Sequence, residues 1–186
     1  GVVISQVYGG GGSSTGTFSA DYVELHNNSG TPQDISGYNI IYGSATGVLG
    51  SVATNNFTFP SNVIIPAGGY LLVASAAGTG LANLPVTPDY IFTLNMSGTN
   101  GKVAFGTGAM TANTPYASQP AGSVLDFVGY GTGNTHSLTF EGTKVYLSGG
   151  VGSGATAEPV IVDGVITEII VTDGGTGYTG ARATAA

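Results

Sequence analysis

The chain has 186 residues; only 7% are charged, 33 are glycines, none is cysteine, and the formal net charge is -7. Its three basic residues, Lys102, Lys144 and Arg182, are too few for the clustered patch that binds nucleic acid or an anionic membrane surface. The lack of cysteine excludes disulfides, thiol catalysis and thiolate zinc sites, and no apolar run approaches the roughly 20 residues of a membrane span.

The composition also predicts where the protein works. Hydrophobic residues make up 41% of the chain, enough for a folded core. Low charge combined with many Gly, Ser, Thr, Asn and Tyr residues is typical of extracellular surface and fibre proteins, so we expect a secreted or cell-surface protein. The chain begins at Gly1 rather than Met, which fits a mature product whose signal peptide has been removed, or a trimmed chain.

The first strand-like segment is Val2–Tyr8, which is apolar on both faces. This pattern predicts a strand that is central in its sheet or covered on both sides. A glycine-rich segment at residues 9–16 follows, and its composition predicts a flexible loop.

The segment at residues 21–27 alternates cleanly between apolar and polar side chains. Val23 and Leu25 point one way, and the opposite face carries Tyr22, Glu24 and His26. This is the period of a strand with one buried face. A turn rich in Asn, Ser, Gly and Pro closes the segment.

Further short strand-like segments continue to the end of the first part of the chain. These segments lie within residues 34–42, 57–65, 70–74, 90–94, 102–105, 124–130 and 144–147. Asn100 and Gly101 form a dipeptide typical of a tight hairpin. Short strands separated by turns, without a convincing helical stripe, predict an all-β sandwich.

The composition changes after Ser148, and we assign residues 1–148 to the sandwich and residues 149–186 to an extension. Within the extension, residues 155–162 and 165–172 flank Asp163-Gly164 and predict a β-hairpin that is apolar on both faces. An isolated two-stranded hairpin is marginal in water. We therefore expect it to pack on the sandwich or to join a sheet in another subunit.

An ordered set of stretches in this chain resembles the bacterial lamin tail domain family. The stretches are VVISQVYGGGG at residues 2–12, DYVELHN at 21–27, DISGY at 34–38, IPAGGYLLV at 65–73, NMSGTNGKVA at 95–104 and DFVGYG at 126–131. The resemblance covers residues 1 to about 147 and implies an immunoglobulin-like β-sandwich, secreted or surface-attached in bacteria, without a catalytic role. The chain departs from the family at Tyr38, where Trp is common, and after Glu141.

A second resemblance covers the extension. Residues 152–157, 163–172 and 174–178 are similar to one copy of a glycine-rich β repeat found in bacterial and phage surface or fibre proteins. This resemblance implies an appended C-terminal β-hairpin.

The densest polar cluster, Asp21, Glu24 and His26, could bind a cation or act in acid–base chemistry. Period-two geometry places Glu24 and His26 on one face and Asp21 opposite, near the loop. The alternative is that Asp21 accepts hydrogen bonds from loop amides and that Glu24 is solvated. Asp126 alternates with apolar residues, so its carboxylate needs hydrogen bonds or a cation; it could join Asp21 or Glu24 in a calcium site, or accept bonds from loop amides.

Three other patterns are weaker. His136, Ser137 and Glu141 are the residue types of a hydrolytic triad, but no nucleophile elbow accompanies them and chance explains them. The run at residues 9–12 lacks the Lys and the helix of a phosphate-binding loop. Glycosylation sequons begin at Asn27, Asn56 and Asn95, and mostly reflect turn chemistry.

These observations predict a non-catalytic extracellular structural protein with no assigned catalytic, cofactor or metal residues. We expect a homo-oligomer or filament in which either Val2–Tyr8 or residues 159–172 supply a strand to another subunit. The alternative is an accessory binding or adhesion module for carbohydrate or protein, since ten Tyr residues offer contact faces.

Overall fold

The structure is a computed structural model and describes residues 1–78, 81–111, 121–131, 145–148, 153–162, 165–176 and 182–185. The chain divides into two compact units, Gly1–Glu141 and Gly142–Ala186. The described residues are almost entirely strands; one short 3-10 helix spans Ala53–Asn55.

The first unit contains strands β1 to β10. They are β1 (Val2–Tyr8), β2 (Tyr22–Asn27), β3 (Gln33–Asp34), β4 (Asn39–Gly43), β5 (Asn56–Thr58), β6 (Ile64–Ile65), β7 (Tyr70–Ser75), β8 (Tyr90–Phe92), β9 (Gly101–Thr111) and β10 (Ala121–Tyr130). The first sheet has the order β1-β2-β7-β8, and the second has the order β10-β9-β4-β5. Together they form an immunoglobulin-like β-sandwich, which confirms the predicted all-β fold.

β2 is an interior strand of the first sheet, and its alternation gives it one buried face. Val23 and Leu25 are fully buried, while Tyr22, Glu24 and His26 lie half-buried on the other face. β2 pairs antiparallel with β1 on one side and with β7 on the other. The predicted buried face of this strand is therefore confirmed.

The core between the sheets is built mainly from aliphatic and aromatic side chains. Its largest fully buried members include Phe59, Phe105, Leu25, Ile40 and Ile65. Fully burying one such side chain contributes about 1.5–3 kcal/mol, so the core dominates the stability of this unit.

Two sequence predictions differ from the structure. Of the two placements predicted for Val2–Tyr8, the central one is wrong, since β1 lies at the edge of the first sheet. Ile4 and Val7 of this strand pack against the core, and β1 also contacts β10 of the second sheet. The Asn100-Gly101 dipeptide does not close a hairpin: β8 belongs to the first sheet and β9 to the second. The turn instead carries the chain from one sheet to the other.

The second unit is built from two antiparallel ladders. β12 (Ser153–Val162) pairs with β13 (Val165–Thr176), which is the predicted hairpin; its turn, Asp163-Gly164, lies outside the described residues. β11 (Val145–Ser148) pairs with β14 (Arg182–Ala185), a strand that the sequence did not predict. In the sequence, β11 and β14 flank the β12–β13 hairpin. We call the two ladders together the C-terminal ribbon. The compact units meet at Glu141 and Gly142, and the division of the chain at residue 148 stays a prediction.

Candidate functional site

Asp21 precedes β2 and is buried, with 3% of its surface exposed. Its Oδ1 accepts a hydrogen bond of 2.8 Å from the Gly11 amide, and its Oδ2 accepts one of 2.9 Å from the Met96 amide. One carboxylate thus joins the glycine-rich loop to the segment that follows β8. This is the amide-accepting role that the sequence left open beside a catalytic one.

The environment of Asp21 acts on its ionisation in two directions. Burial raises the pKa of the Asp21 carboxyl, and the amides of Met96 and Gly11 partly offset this because they stabilise the charged form. The net direction is upward. A buried carboxylate that accepts bonds from two loop amides in this way stabilises the loops that it joins.

Glu24 and His26 lie on the opposite face of β2 and have separate partners. Glu24 Oε1 accepts hydrogen bonds from Ser5 Oγ at 2.6 Å and from Gln6 Nε2 at 3.2 Å. The His26 ring stacks on Tyr70 of β7, with centroids 4.3 Å apart and planes 15° from parallel. The predicted split of Asp21, Glu24 and His26 across two faces is confirmed.

Asp126 lies in β10, at the edge of the second sheet. Its Oδ2 accepts a hydrogen bond from the Ile4 amide of β1, and its Oδ1 accepts one of 3.0 Å from the Phe127 amide. Burial raises the pKa of this carboxyl, and the two amides oppose the effect. The half-buried Asp126 carboxylate lies on an apolar face and therefore needs hydrogen bonds, which two backbone amides supply.

The acidic residues do not converge. In the described part of the chain, no group of three or more His, Cys, Asp or Glu side chains could hold a metal ion. Asp21, Glu24 and Asp126 each bind their own set of partners. Calcium binding by these residues stays a prediction.

Asn27 ends β2 and is completely buried. Its Nδ2 donates to the carbonyls of Thr31, Ile65 and Pro66, at 2.8, 3.0 and 3.0 Å. Its Oδ1 accepts from the amide and hydroxyl of Ser29. The first sequon is therefore turn chemistry, whereas Asn56 and Asn95 are exposed.

The glycine-rich loop is packed, contrary to the flexible loop that its composition predicted. A Cβ atom would collide at four of its glycines: Gly9 with Ser97, Gly10 with Tyr8, Gly11 with Ala20 and Asp21, and Gly16 with Gly10. The glycines are required for close approach rather than for freedom. Tyr8 Oη adds two bonds by accepting the Thr17 and Phe18 amides, at 2.8 and 3.0 Å.

A cleft of about 340 Å³ lies between this loop and the turn at residues 98–99. We call it the glycine-loop cleft. Tyr8 and Tyr130 line it together with small residues, among them Ser13, Thr15 and Thr99. Its volume falls in the range of small-ligand pockets, about 300–1,000 Å³.

The turn beside the cleft is anchored to the core by two buried or half-buried tyrosines. Tyr42 Oη accepts from the Ser97 amide at 3.1 Å, and Tyr130 Oη donates to the Ser97 carbonyl at 2.7 Å. Burial raises the pKa of Tyr130 far above its ordinary value, so this hydroxyl is a fixed donor. Hydrogen bonds to the amide and to the carbonyl of Ser97 thus fix the turn that forms one wall of the cleft.

Lys102 is a feature that the sequence did not single out. It is 1% exposed, and its Nζ donates to the Ala45 carbonyl at 3.2 Å. Its neighbours across the ladders are Gly43 and Gly129, and a Cβ on Gly43 would lie 3.2 Å from Lys102 Cε. The glycine at 43 leaves the space that the lysine stem fills, and burial lowers the Lys102 pKa.

His136, Ser137 and Glu141 lie outside the described residues. The described part of the chain contains no helix that is long and apolar enough to cross a membrane.

The first part of the chain matches a known family. A family model for the lamin tail domain matches residues 1–139, which is most of the chain. The chain belongs to the lamin tail domain family. A comparison with curated proteins found no match.

Membership agrees with the site described above. Lamin tail domains are immunoglobulin-like and generally non-enzymatic, as the sequence resemblance implied. The carboxylates Asp21 and Asp126 serve the fold of this domain by binding backbone amides. The domain is thus consistent with a structural or binding module.

Proposed function

We propose that this lamin tail domain protein is a non-catalytic extracellular structural subunit that associates with copies of itself through its C-terminal ribbon. The observation that carries the proposal is that both ladders of the ribbon are two-stranded sheets in the described residues. A two-stranded ribbon is marginal alone, and strands β12 and β13 are rich in Val and Ile. A strand or ribbon from a second copy would complete the sheet.

The edges of the sandwich offer less to such a partner. On one side, β1 and β10 are joined by the hydrogen bond between Ile4 and Asp126. On the other side, Thr93 Oγ1 donates to the Thr54 carbonyl at 3.0 Å, and the Asn95 amide donates to Asn55 Oδ1 at 3.2 Å. Short or bulged edges that are tied to the opposite sheet resist strand addition.

Strand exchange through β1 is the other route that the sequence suggested. β1 is already paired along its length with β2, from Val2 opposite Asn27 to Tyr8 opposite Tyr22. Exchange would break this ladder before a new one formed. The ribbon therefore remains the better supported contact.

Charge insertion tests the proposal. Ile170→Lys places a cation in the paired strand β13, and Ile64→Lys places the same charge at a sandwich position that is 57% exposed. We expect sedimentation velocity and electron microscopy to show assemblies for the unmodified chain and for Ile64→Lys. Ile170→Lys is expected to sediment as a monomer that retains its β circular dichroism.

Two results would contradict the proposal. One is an unmodified chain that stays monomeric at its solubility limit. The other is a chain that lacks residues 142–186 and still forms the same assemblies, because the sandwich would then be sufficient.

A second candidate function is a binding module, and one observation favours it. The outer face of the first sheet carries two cross-strand aromatic stacks: Tyr8 on Tyr22, with centroids 5.3 Å apart, and His26 on Tyr70. Tyr70 is 61% exposed. Exposed aromatic side chains with polar tips suit contact with carbohydrate or protein, and a monomeric chain would favour this role.

A further inference from the structure

We propose that the glycine-loop cleft binds a neutral carbohydrate. The inference gives a site to the binding role named second above, and it does not rest on self-assembly. It starts from the cleft of about 340 Å³ between the glycine-rich loop and the turn at residues 98–99.

The two turns that border the cleft carry the same hydroxyl arrangement. In one turn, the hydroxyls of the lining residues Ser13 and Thr15 are 3.1 Å apart, and the Thr15 amide donates to Ser13 Oγ. In the other turn, the lining residue Thr99 has its hydroxyl 3.2 Å from that of Ser97, which lies behind the lining, and the Thr99 amide donates to Ser97 Oγ. In each pair the threonine side chain is exposed and lies at the cleft.

The chemistry of the lining selects the class of ligand. Hydroxyl groups both donate and accept, so they match a ligand whose own polar groups are hydroxyls. The described lining residues include no charged side chain, and Lys102, the one basic residue of the first unit, is buried elsewhere. Without a cation, the cleft has nothing to pair with phosphate, sulfate or a uronic acid.

The cleft also has an apolar component of the right kind. Val7, Tyr8 and several glycines line it beside the hydroxyl-bearing residues. A sugar ring has C–H groups on its faces and hydroxyls at its rim, so it can contact this surface and both walls together. A lipid or a fully apolar ligand could make no hydrogen bond with the exposed threonine hydroxyls.

The walls are fixed before any ligand arrives. The contact of Gly9 with Ser97 leaves no space for a side chain, and Tyr130 and Tyr42 hold the Ser97 backbone. Asp21 ties Gly11 to Met96 behind the cleft. A preformed site avoids the cost of ordering loops on binding.

Equilibrium dialysis of the full chain tests the inference, because it works for monomers and assemblies alike. The neutral probes are cellotetraose, maltotetraose and mannotetraose, and tetragalacturonate is the anionic comparison. The variants Thr15→Val and Thr99→Val each remove one wall hydroxyl at nearly constant volume. Thr58→Val makes the same change on exposed β5, away from the cleft.

We expect at least one neutral probe to bind, with affinity reduced about three- to ten-fold in each wall variant and unchanged in Thr58→Val. Retention of no neutral probe would overturn the inference. So would equal binding of tetragalacturonate, or neutral binding that both wall variants leave unchanged. Particle size measured without sugar reports on assembly separately, so either proposal can fail alone.

Discussion

Ile4 of β1 and Asp126 of β10 belong to different sheets, and the Ile4 amide donates a hydrogen bond of 2.5 Å to the Asp126 carboxylate. Both residues lie at irregularities of their ladders: between Ile4 and Gln6 in β1, and between Val124 and Asp126 in β10. Two bulges therefore face each other at one edge of the sandwich. The Asp126 carboxylate accepts a hydrogen bond from the amide at the β1 bulge, and this bond links the two sheets at their shared edge.

We expect Asp126→Ala to lower the free energy of unfolding by about 1–3 kcal/mol, because the half-buried Ile4 amide loses its acceptor. Denaturant titration measures this change. Glu24→Ala is the control, since Glu24 binds only exposed side chains and a surface change of this kind costs about 0.5 kcal/mol or less. Equal losses in the two variants would show that the contact between the sheets contributes little.

The buried carboxyls predict an unusual dependence of stability on pH. Burial raises the folded-state pKa of Asp21 and Asp126 above the ordinary value of 3.8. Their contribution to stability is then fully present below 3.8 and is lost as pH rises through the raised pKa values. We expect the melting temperature to increase as pH falls from 7 toward 4.

Matched variants separate this effect from general charge repulsion. Asp21→Asn and Asp126→Asn should each flatten the slope between pH 7 and 4, and Glu24→Gln, which removes a carboxylate bound by exposed side chains, is the charge-matched comparison. Asp34 acts in the opposite direction below this window: bonds from the Ser36 side chain and amide lower its pKa, so its contribution is lost as pH falls below 3.8. A slope that is unchanged in both Asn variants would contradict the assignment.

Local alternation explains how much of the fold the sequence predicts. Val23 and Leu25 identify the buried face of β2 because side-chain direction depends only on neighbouring residues. Alternation does not specify which strand lies beside which. For this reason the pattern of Val2–Tyr8 predicts either a central strand or one covered on both sides, and Asn100-Gly101 predicts a hairpin that the structure does not form.

The contacts of the candidate site are harder to predict from the sequence than the strands, because they join residues that are far apart in the chain. Period-two geometry separates Asp21 from Glu24, but it cannot show that Asp21 binds Met96, 75 residues away. Nor does it predict that Lys102 lies over Gly43, since that contact depends on the register of β4 with β9. One signal was present in the sequence: a lone lysine in a strand between apolar residues needs a backbone acceptor or a path to solvent.

Lys102 provides a prediction in which removal of a charge does not destabilise the fold. Lys102→Met keeps most of the stem and removes a buried ammonium that has one described acceptor, the Ala45 carbonyl. We expect the free energy of unfolding at neutral pH to rise by about 1 kcal/mol. Lys102→Ala should lower it by about 2–3 kcal/mol, because the packed stem over Gly43 is lost.

The pH dependence of the lysine gives a second measurement. Burial lowers the folded-state pKa of Lys102 below its ordinary 10.5, so the folded state releases this proton first. Stability should therefore rise with pH from the lowered pKa to about 10.5, and Lys102→Met should abolish that rise. If Met and Ala destabilise equally, the ammonium itself is needed for the fold.

Asn27 predicts a large effect at a position that the sequence marked only as a sequon. Asn27→Ala removes a buried amide that binds three carbonyls and Ser29, and we expect a loss of about 2–4 kcal/mol in denaturant titration. Asn28→Ala is the control, because Asn28 is exposed and binds only the chain terminus through its side chain. A loss below 1 kcal/mol at Asn27 would show that water replaces these bonds readily.

The packed glycine-rich loop predicts that two glycine substitutions differ sharply in effect. Gly9→Ala places a Cβ against the Ser97 carbonyl, which Tyr130 and Tyr42 hold in place, whereas nothing lies within 4 Å of a Cβ on Gly30. We expect Gly9→Ala to lower the free energy of unfolding by about 1–3 kcal/mol, and Gly30→Ala to change it by less than about 0.5 kcal/mol. Thermal and denaturant unfolding measure both.

Gly12→Ala should fall between them, since Gly12 has open space but a φ of 79°, which an alanine adopts at a cost of about 1 kcal/mol. Equal stability of all three variants would contradict the packed loop and support the flexible loop that the composition predicts.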